Sequence, residues 1–333
     1  MSFVLEHPWV PAVVRETLGV GHLETTYERS ATPWSPAERA FTLAPYKATD
    51  RFLDSTGHKI FSATWERRDQ QPEADIISIH GLHDYGTRWA DTPWPKTLVD
   101  SGFRVTSPDL IGHGRSSGIH GGFSSIDEQV EVVRDILRKV VRFLPASKTG
   151  KVFLFGGSLG GLLLLSYARK YRMDPELSPS GMVVLCPLVS VAPESRPAWS
   201  VEMIAKSLCY VAPFLPLAEA NRGKNASDIR FEEIFLEDPL TYHGRLRIST
   251  GLAMLHAFEE LQANLSQVIT PFIVVHGDAD RATSVEGSKQ LYEQAGSTDK
   301  TIRIVPGQEH DLSREPKAME VLSLCIEWMK ARL

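Results

Sequence analysis

The sequence predicts an α/β protein: a mostly parallel central sheet with helices on both faces, interrupted late in the chain by a helical insertion. Three observations predict it. Short apolar runs, such as residues 75–80 and 272–276, alternate with segments of helical periodicity. One run flows through the glycine-rich turn at residues 156–161 directly into a helix. Between residue 190 and about residue 268 the β/α rhythm breaks.

The rhythm begins near Asp50. Phe52-Leu53 and residues 59–65 read as a hairpin around Ser55-Thr56-Gly57. Residues 75–80 end in His-Gly and have the look of a buried parallel strand. Residues 92–101 read as a helix and 103–106 as the next strand. Residues 125–144 make a helix, with a capping box at Ser125 and Glu128. Its Val130, Val133, Leu137, Val140, Val141 and Leu144 share one face. A strand at 151–155, a helix at 158–171, strands at 182–186, 271–276 and 301–305, and an amphipathic helix at 317–333 complete the pattern. The interruption holds an apolar helical segment at 201–211, then Pro213-Phe214-Leu215-Pro216-Leu217, an acidic stretch around Glu232-Glu233 and a helix near 247–261. Helices inserted between two strands of such a sheet read as a cap over the strands' carboxyl ends, where ligands bind. The expected organisation is an N-terminal extension of unassigned role (1–45), a core in two parts (46–190 and 269–333) and a helical cap (191–268).

Composition narrows the function. A chain of 333 residues with 42% hydrophobic and 23% charged residues is ordinary for a globular enzyme. A net charge of −5 lacks the basic excess that nucleic-acid binding wants. Cys186, Cys209 and Cys325 are scattered and form no CxxC pair, so neither a disulfide scaffold nor a zinc site is expected. The first residues lack a basic region followed by a long apolar run, and no 18-residue apolar stretch occurs. A soluble, cytoplasmic protein is expected, with a peripheral membrane contact through the cap left open.

Chemistry concentrates at Gly156-Gly157-Ser158-Leu159-Gly160-Gly161. Strand, Gly-x-Ser-x-Gly, then helix is the setting of a nucleophile elbow. The bland alternative is a glycine-rich turn with an incidental serine. At the helix N-terminus the dipole favours negative charge, and the Leu159 N–H points where an oxyanion would form. A serine hydroxyl needs a base to take its proton, and the base needs an acid to orient it. The strand at 272–276 runs into Gly277-Asp278-Ala279-Asp280, and the strand at 302–305 runs into Pro306-Gly307-Gln308-Glu309-His310. The order Ser158, acid, His310 is the one this architecture uses. On spacing alone Asp278 and Asp280 tie for the acid. His80, His83 and His113 stand in the wrong order or in Gly-rich turns, His243 and His256 lie in the cap, and His276 is too close to the acid. The Leu82 N–H, in the loop after His80-Gly81, is expected as second oxyanion donor.

These residues resemble the monoacylglycerol lipase / lysophospholipase family (serine aminopeptidase S33-like), including its plant caffeoylshikimate-esterase-like members. The likeness runs from about residue 50 to 333. It rests on His80-Gly81, on Pro108-Asp109 through Gly112-His113-Gly114-Arg115-Ser116-Ser117-Gly118, on the serine turn, on Asp238-Pro239-Leu240-Thr241-Tyr242, and on His276-Gly277-Asp278-Ala279-Asp280-Arg281. The resemblance implies the α/β-hydrolase fold and assigns the acid to Asp280 and the base to His310. Gly157 departs from it, since most members carry His or Glu there. It implies hydrolysis of small-molecule acyl esters through an acyl-enzyme, with no cofactor and no metal. An aryl- or phenolic-ester esterase is the alternative, and a non-catalytic binding protein of the same fold the one from another class. The apolar cap residues either line an acyl tunnel or simply pack the cap on the core, and Cys209 is expected as a buried apolar residue.

Overall fold

A single eight-stranded sheet organises the chain, and both of its faces are covered. The computed structural model describes residues 14, 17–18, 28–190, 199–218 and 223–333. In chain order the strands are β1 (Tyr46–Ser55), β2 (His58–Arg67), β3 (Ala74–Ile79), β4 (Phe103–Pro108), β5 (Val152–Gly157), β6 (Gly181–Leu185), the short β7 (Pro216–Ala218) and β8 (Leu246–Arg247), β9 (Phe272–Gly277) and β10 (Lys300–Val305). The main sheet runs β1-β2-β4-β3-β5-β6-β9-β10, while β7 and β8 pair separately. Its β1–β2 and β2–β4 pairings are antiparallel and the rest parallel. The helices are α1 (Pro36–Ala40), α2 (Trp94–Asp100), α3 (Ile126–Phe143), α4 (Leu159–Lys170), α5 (Trp199–Cys209), α6 (Arg230–Glu237), α7 (Ile248–Ala263), α8 (Val285–Gln294) and α9 (Ala318–Lys330).

The apolar runs read as buried strands because successive side chains enter different cores. Leu154 and Val274 join a cluster with Val133, Leu137 and Leu163 from α3 and α4. Phe153, Phe155, Ile273 and Val275 join one with Trp94 and Leu98 from α2 and Leu322 and Trp328 from α9. Parallel order then brings the ends of β3, β5, β6, β9 and β10 to one rim, and the loops there carry the candidate site.

Several local expectations shift. The helix expected from residue 92 starts at Trp94, after a 3-10 turn at Arg88–Asp91, with Pro93 at its N-cap. At Ser125 only half of the box forms: its hydroxyl accepts from the Glu128 N–H at 3.3 Å. Val141 is 55% exposed although the helical period placed it inward. The acidic stretch around Glu232 is helix α6, which buries Phe231. Helix α5 buries none of its side chains, and Cys209 is half-buried, so packing onto the core does not account for that helix's apolar residues. Residues 191–198 and 219–222 of the expected cap, and most of residues 1–27, lie outside the described residues.

The described part of the N-terminal extension is bound tightly to the core. A reciprocal capping box starts α1: the Glu38 N–H donates to Ser35 Oγ at 3.2 Å and the Ser35 N–H to Glu38 Oε2 at 2.6 Å. The buried Glu38 carboxylate also takes both guanidinium arms of buried Arg115, at 2.8 and 3.0 Å. Arg29 reaches the same loop from the other direction, donating to the carbonyls of Gly114, Ser116 and Gly118. Removing one partner of a buried ion pair leaves the other charged and dry. Glu38→Ala is therefore expected to lower unfolding free energy by about 3–5 kcal/mol, read by urea denaturation, with Glu38→Gln intermediate.

Candidate active site

Ser158 is the residue between β5 and α4, and its backbone is unusual. Its φ of 54° and ψ of −121° lie where L-residues are strained, a cost of order 1–3 kcal/mol that the surroundings must impose. They do so through three bonds. The Ser158 N–H donates to the Leu185 carbonyl at 3.0 Å, and the Ser158 carbonyl accepts from Leu162 and Leu188, both at 3.1 Å. The flanking glycines are required by close packing. A Cβ on Gly160 would collide with the carbonyl oxygens of Ile79 and His80, and one on Gly161 would sit 2.8 Å from Pro187 Cβ. Gly157 faces Leu185 more loosely, at 3.3 Å or more, and lines the cavity.

The loop after β3 rests against the serine, since a Cβ on Gly81 would lie 3.6 Å from Ser158 Cβ. Among the described residues the Leu82 and Leu159 N–H groups have no backbone acceptor. His80, set aside as structural on sequence grounds, holds this loop in place. Its Nδ1 donates to the Gly81 carbonyl at 2.7 Å while its Nε2 accepts from the Leu110 N–H at 2.9 Å, which fixes one tautomer. Burial pushes its pKa down to about 4, and that of nearby His120 to about 3. Both rings are thus neutral in the fold but protonate near 6.5 in the unfolded chain. The unfolded state then binds more protons below about pH 6.5, so stability is present above that pH and lost as pH falls towards 4. Buried Asp109, pushed up to about 7, works in the opposite direction over this range, so the histidine contribution is read as a difference. In denaturant titrations the change between pH 7 and pH 5 should be less destabilising by about 2 kcal/mol in His80→Gln than in the native protein.

Asp280 and His310 meet. His310 Nδ1 lies 2.7 Å from Asp280 Oδ2, with the carboxylate fully buried and the ring nearly so. Asp280 Oδ1 accepts from the N–H groups of Ala282 at 2.7 Å and Thr283 at 2.9 Å, and Oδ2 accepts from the Thr283 hydroxyl at 2.8 Å. Burial alone would raise this carboxyl. Hydrogen bonds from His276 and His310, the His310 charge and the Thr283 N–H outweigh it and hold the group well below the usual carboxylate range. Asp278 is exposed instead and accepts from the Gly307 N–H at 2.6 Å, tying the two loops together without touching His310.

Ser158 and His310 line one cavity of about 200 Å³. Among the described residues the Ser158 hydroxyl makes no hydrogen bond, to His310 or any other group; catalytic hydrogen bonds are commonly long before substrate binds. Leu82, Trp89, Phe155 and Leu185 give the cavity apolar walls, and Phe231, Phe235 and Tyr242 reach in from the insertion. The Arg88 and Arg314 guanidinium groups stack on Phe231 at 4.8 and 4.9 Å, pinning α6 over the opening. Sequence reasoning missed this anchorage, because nothing in the spacing of Arg88, Phe231 and Arg314 links them. It also missed Cys186, whose φ is 40° and whose carbonyl accepts from the Thr283 hydroxyl at 3.0 Å. Cys186, Asp280 and His310 each present a metal-ligating atom within 4.8 Å of one another, but Asp280 and His310 already bond each other.

Sheet order, serine turn and rim loops together define a protein of the α/β-hydrolase fold. Residues 70–317 match the family described as serine aminopeptidase, S33, and the chain belongs to that family. It is similar to caffeoylshikimate esterase of Arabidopsis thaliana, 29% identical over 310 residues and covering 90% of each chain. It is also similar to monoglyceride lipase of Homo sapiens, 29% identical over 274 residues, 81% of this chain and 86% of the relative. Among solved structures, the monoacylglycerol lipase of Paleococcus ferrophilus superposes with a TM-score of 0.70 at 25% identity, covering 82% of this chain and 99% of that one.

Proposed function

We propose that the chain is a serine carboxylic-ester hydrolase of the monoacylglycerol-lipase kind, with Ser158 as nucleophile, His310 as base and Asp280 as the orienting acid. The observation that carries this is the buried Asp280–His310 bond opening on the cavity that a strained Ser158 also lines. Ser158 Oγ attacks the ester carbonyl carbon as its proton passes to His310 Nε2. The Leu82 and Leu159 N–H groups hold the oxyanion, Asp280 steadies the imidazolium, and the imidazolium protonates the departing alcohol. Water, deprotonated by His310, then attacks the acyl-enzyme and releases the acid and the free Ser158 hydroxyl. No step asks for a metal or an organic cofactor.

An apolar wall beside a polar end made by Asp84, Arg88, Asp311 and Arg314 suits an acyl chain joined to a hydroxylated alcohol. The aromatic wall of Trp89, Phe231, Phe235 and Tyr242 supports the second reading, an aryl- or phenolic-ester esterase, and the Arabidopsis relative is named for such an activity. Hydrolysis rates on 2-monoacylglycerols and on hydroxycinnamoyl esters decide between them: at least about 10-fold higher kcat/KM on the former is expected, and the reverse ranking would install the second reading.

No described helix is long and apolar enough to cross a membrane. The exposed Trp199, Met203, Ile204, Tyr210 and Val211 on and after α5 support a peripheral membrane contact. Co-sedimentation with phosphatidylcholine vesicles is expected, with Ile204→Glu weakening it; equal binding by both proteins would remove α5 from the contact.

A further inference from the structure

We propose that His276, held by Ser288, is a positioning residue that grips Asp280 independently of His310 and divides the carboxylate's charge between two imidazoles. This rests on the assignment of Ser158, His310 and Asp280 as the triad. His276 is the fifth residue of β9, fully buried, and its Nε2 lies 3.1 Å from Asp280 Oδ2, the oxygen that His310 Nδ1 also contacts. Its other nitrogen, Nδ1, lies 2.7 Å from the hydroxyl of Ser288 on α8, also fully buried.

An ionised carboxylate only accepts, so each imidazole must present an N–H to it. His276 therefore carries its proton on Nε2, and Nδ1 is left to accept from the Ser288 hydroxyl. Asp280 thus sets the tautomer of both imidazoles, and the Ser288 hydroxyl, donating to Nδ1, holds the His276 ring in place. The other titratable groups around this carboxylate do not take over the task. Cys186, at the end of β6, is held neutral because burial and the charge of Asp280 push its thiol up. Asp311, beside His310, pairs with Arg314 Nε at 3.3 Å. Asp278 is exposed and bound to the Gly307 N–H.

Two consequences follow for catalysis. Without His276 the carboxylate loses one of the contacts that fix its plane, so His310 is aimed less well at Ser158. The undivided charge of Asp280 then acts on His310, which keeps its proton to higher pH and is a poorer base on the acid side. A purely structural role would produce neither an upward shift of the acid limb nor its rescue by another N–H donor.

The test is the pH dependence of inactivation by a fluorophosphonate probe, measured on the full chain. His276→Leu is expected to slow inactivation by about 10–100-fold and to raise the acid limb by about 0.5–1 pH unit. His276→Gln, whose amide N–H can reach Asp280, should recover most of both. Ser288→Ala should shift the limb in the same direction by less, and it removes no ring from the core, so it carries the test if His276→Leu does not fold. A native protein that the probe leaves unlabelled at Ser158 overturns the triad assignment itself. Labelling with the native limb position unchanged in Ser288→Ala, and in His276→Leu where it folds, overturns the role of His276 alone.

Discussion

Ser158→Ala is expected to lower kcat/KM on p-nitrophenyl and monoacylglycerol esters by at least about 10⁴-fold and to abolish fluorophosphonate labelling. The loss is large because, on the proposed mechanism, every turnover passes through an acyl group on this hydroxyl. The Ala variant keeps the strained φ of 54°, so its unfolding midpoint should remain near that of the native protein. Ser158→Gly should be equally inactive yet more stable by about 1 kcal/mol or more, since glycine tolerates positive φ. An inactive, stabilised Gly variant identifies the strain as a cost of the turn. Labelling that survives in Ser158→Ala would remove this serine from the mechanism.

Asp280→Asn is expected to cost about 10³–10⁴-fold in kcat with the fold intact. The direction follows from the partners already described. Oδ1 accepts from two backbone N–H groups, so the amide oxygen of Asn must stay there. Its NH₂ then occupies the Oδ2 position and meets the N–H groups of His310 and His276, while the Thr283 hydroxyl can turn to the Cys186 carbonyl and accept from the NH₂. Donor faces donor, and His310 can restore a bond only by moving its proton to Nε2, the nitrogen that must accept from Ser158. Asp278→Asn keeps its oxygen for the Gly307 N–H and should change kcat less than about threefold. Steady-state kinetics on the two variants settle a contest that residue spacing leaves open.

The fold was legible because it rests on local periodicity. Strands buried on both faces read as unbroken apolar runs, and the turn at Ser158 announces itself through its glycines. Chain order brought His310 and an acid from the 278–280 loop to one rim, since both lie in loops that leave adjacent parallel strands at the same end, but only the family resemblance chose Asp280 over Asp278. What escaped is held by contacts between residues distant in sequence. Arg88 and Arg314 clasping Phe231, Arg115 seated on Glu38, and Thr283 bridging Cys186 and Asp280 leave no spacing signature. His276 was judged too near the acid to matter as the base. That was sound for the base, but four residues of separation across a strand end is a short enough span for the ring to bond the same carboxylate. Helix α6 was missed because its acidic face outweighed Phe231 and Phe235 in the pattern.

The clasp between Glu38 and Arg115 bears on how the molecule can be trimmed. The family match begins at residue 70, and a shortened form starting there would discard β1, β2 and the carboxylate under which Arg115 is sealed. A bare guanidinium would then stand two residues from His113, whose ring lies 5.3 Å from that of His80. A form cut to the family's shared boundaries is accordingly expected to unfold at lower denaturant than one that keeps Arg29 and Glu38.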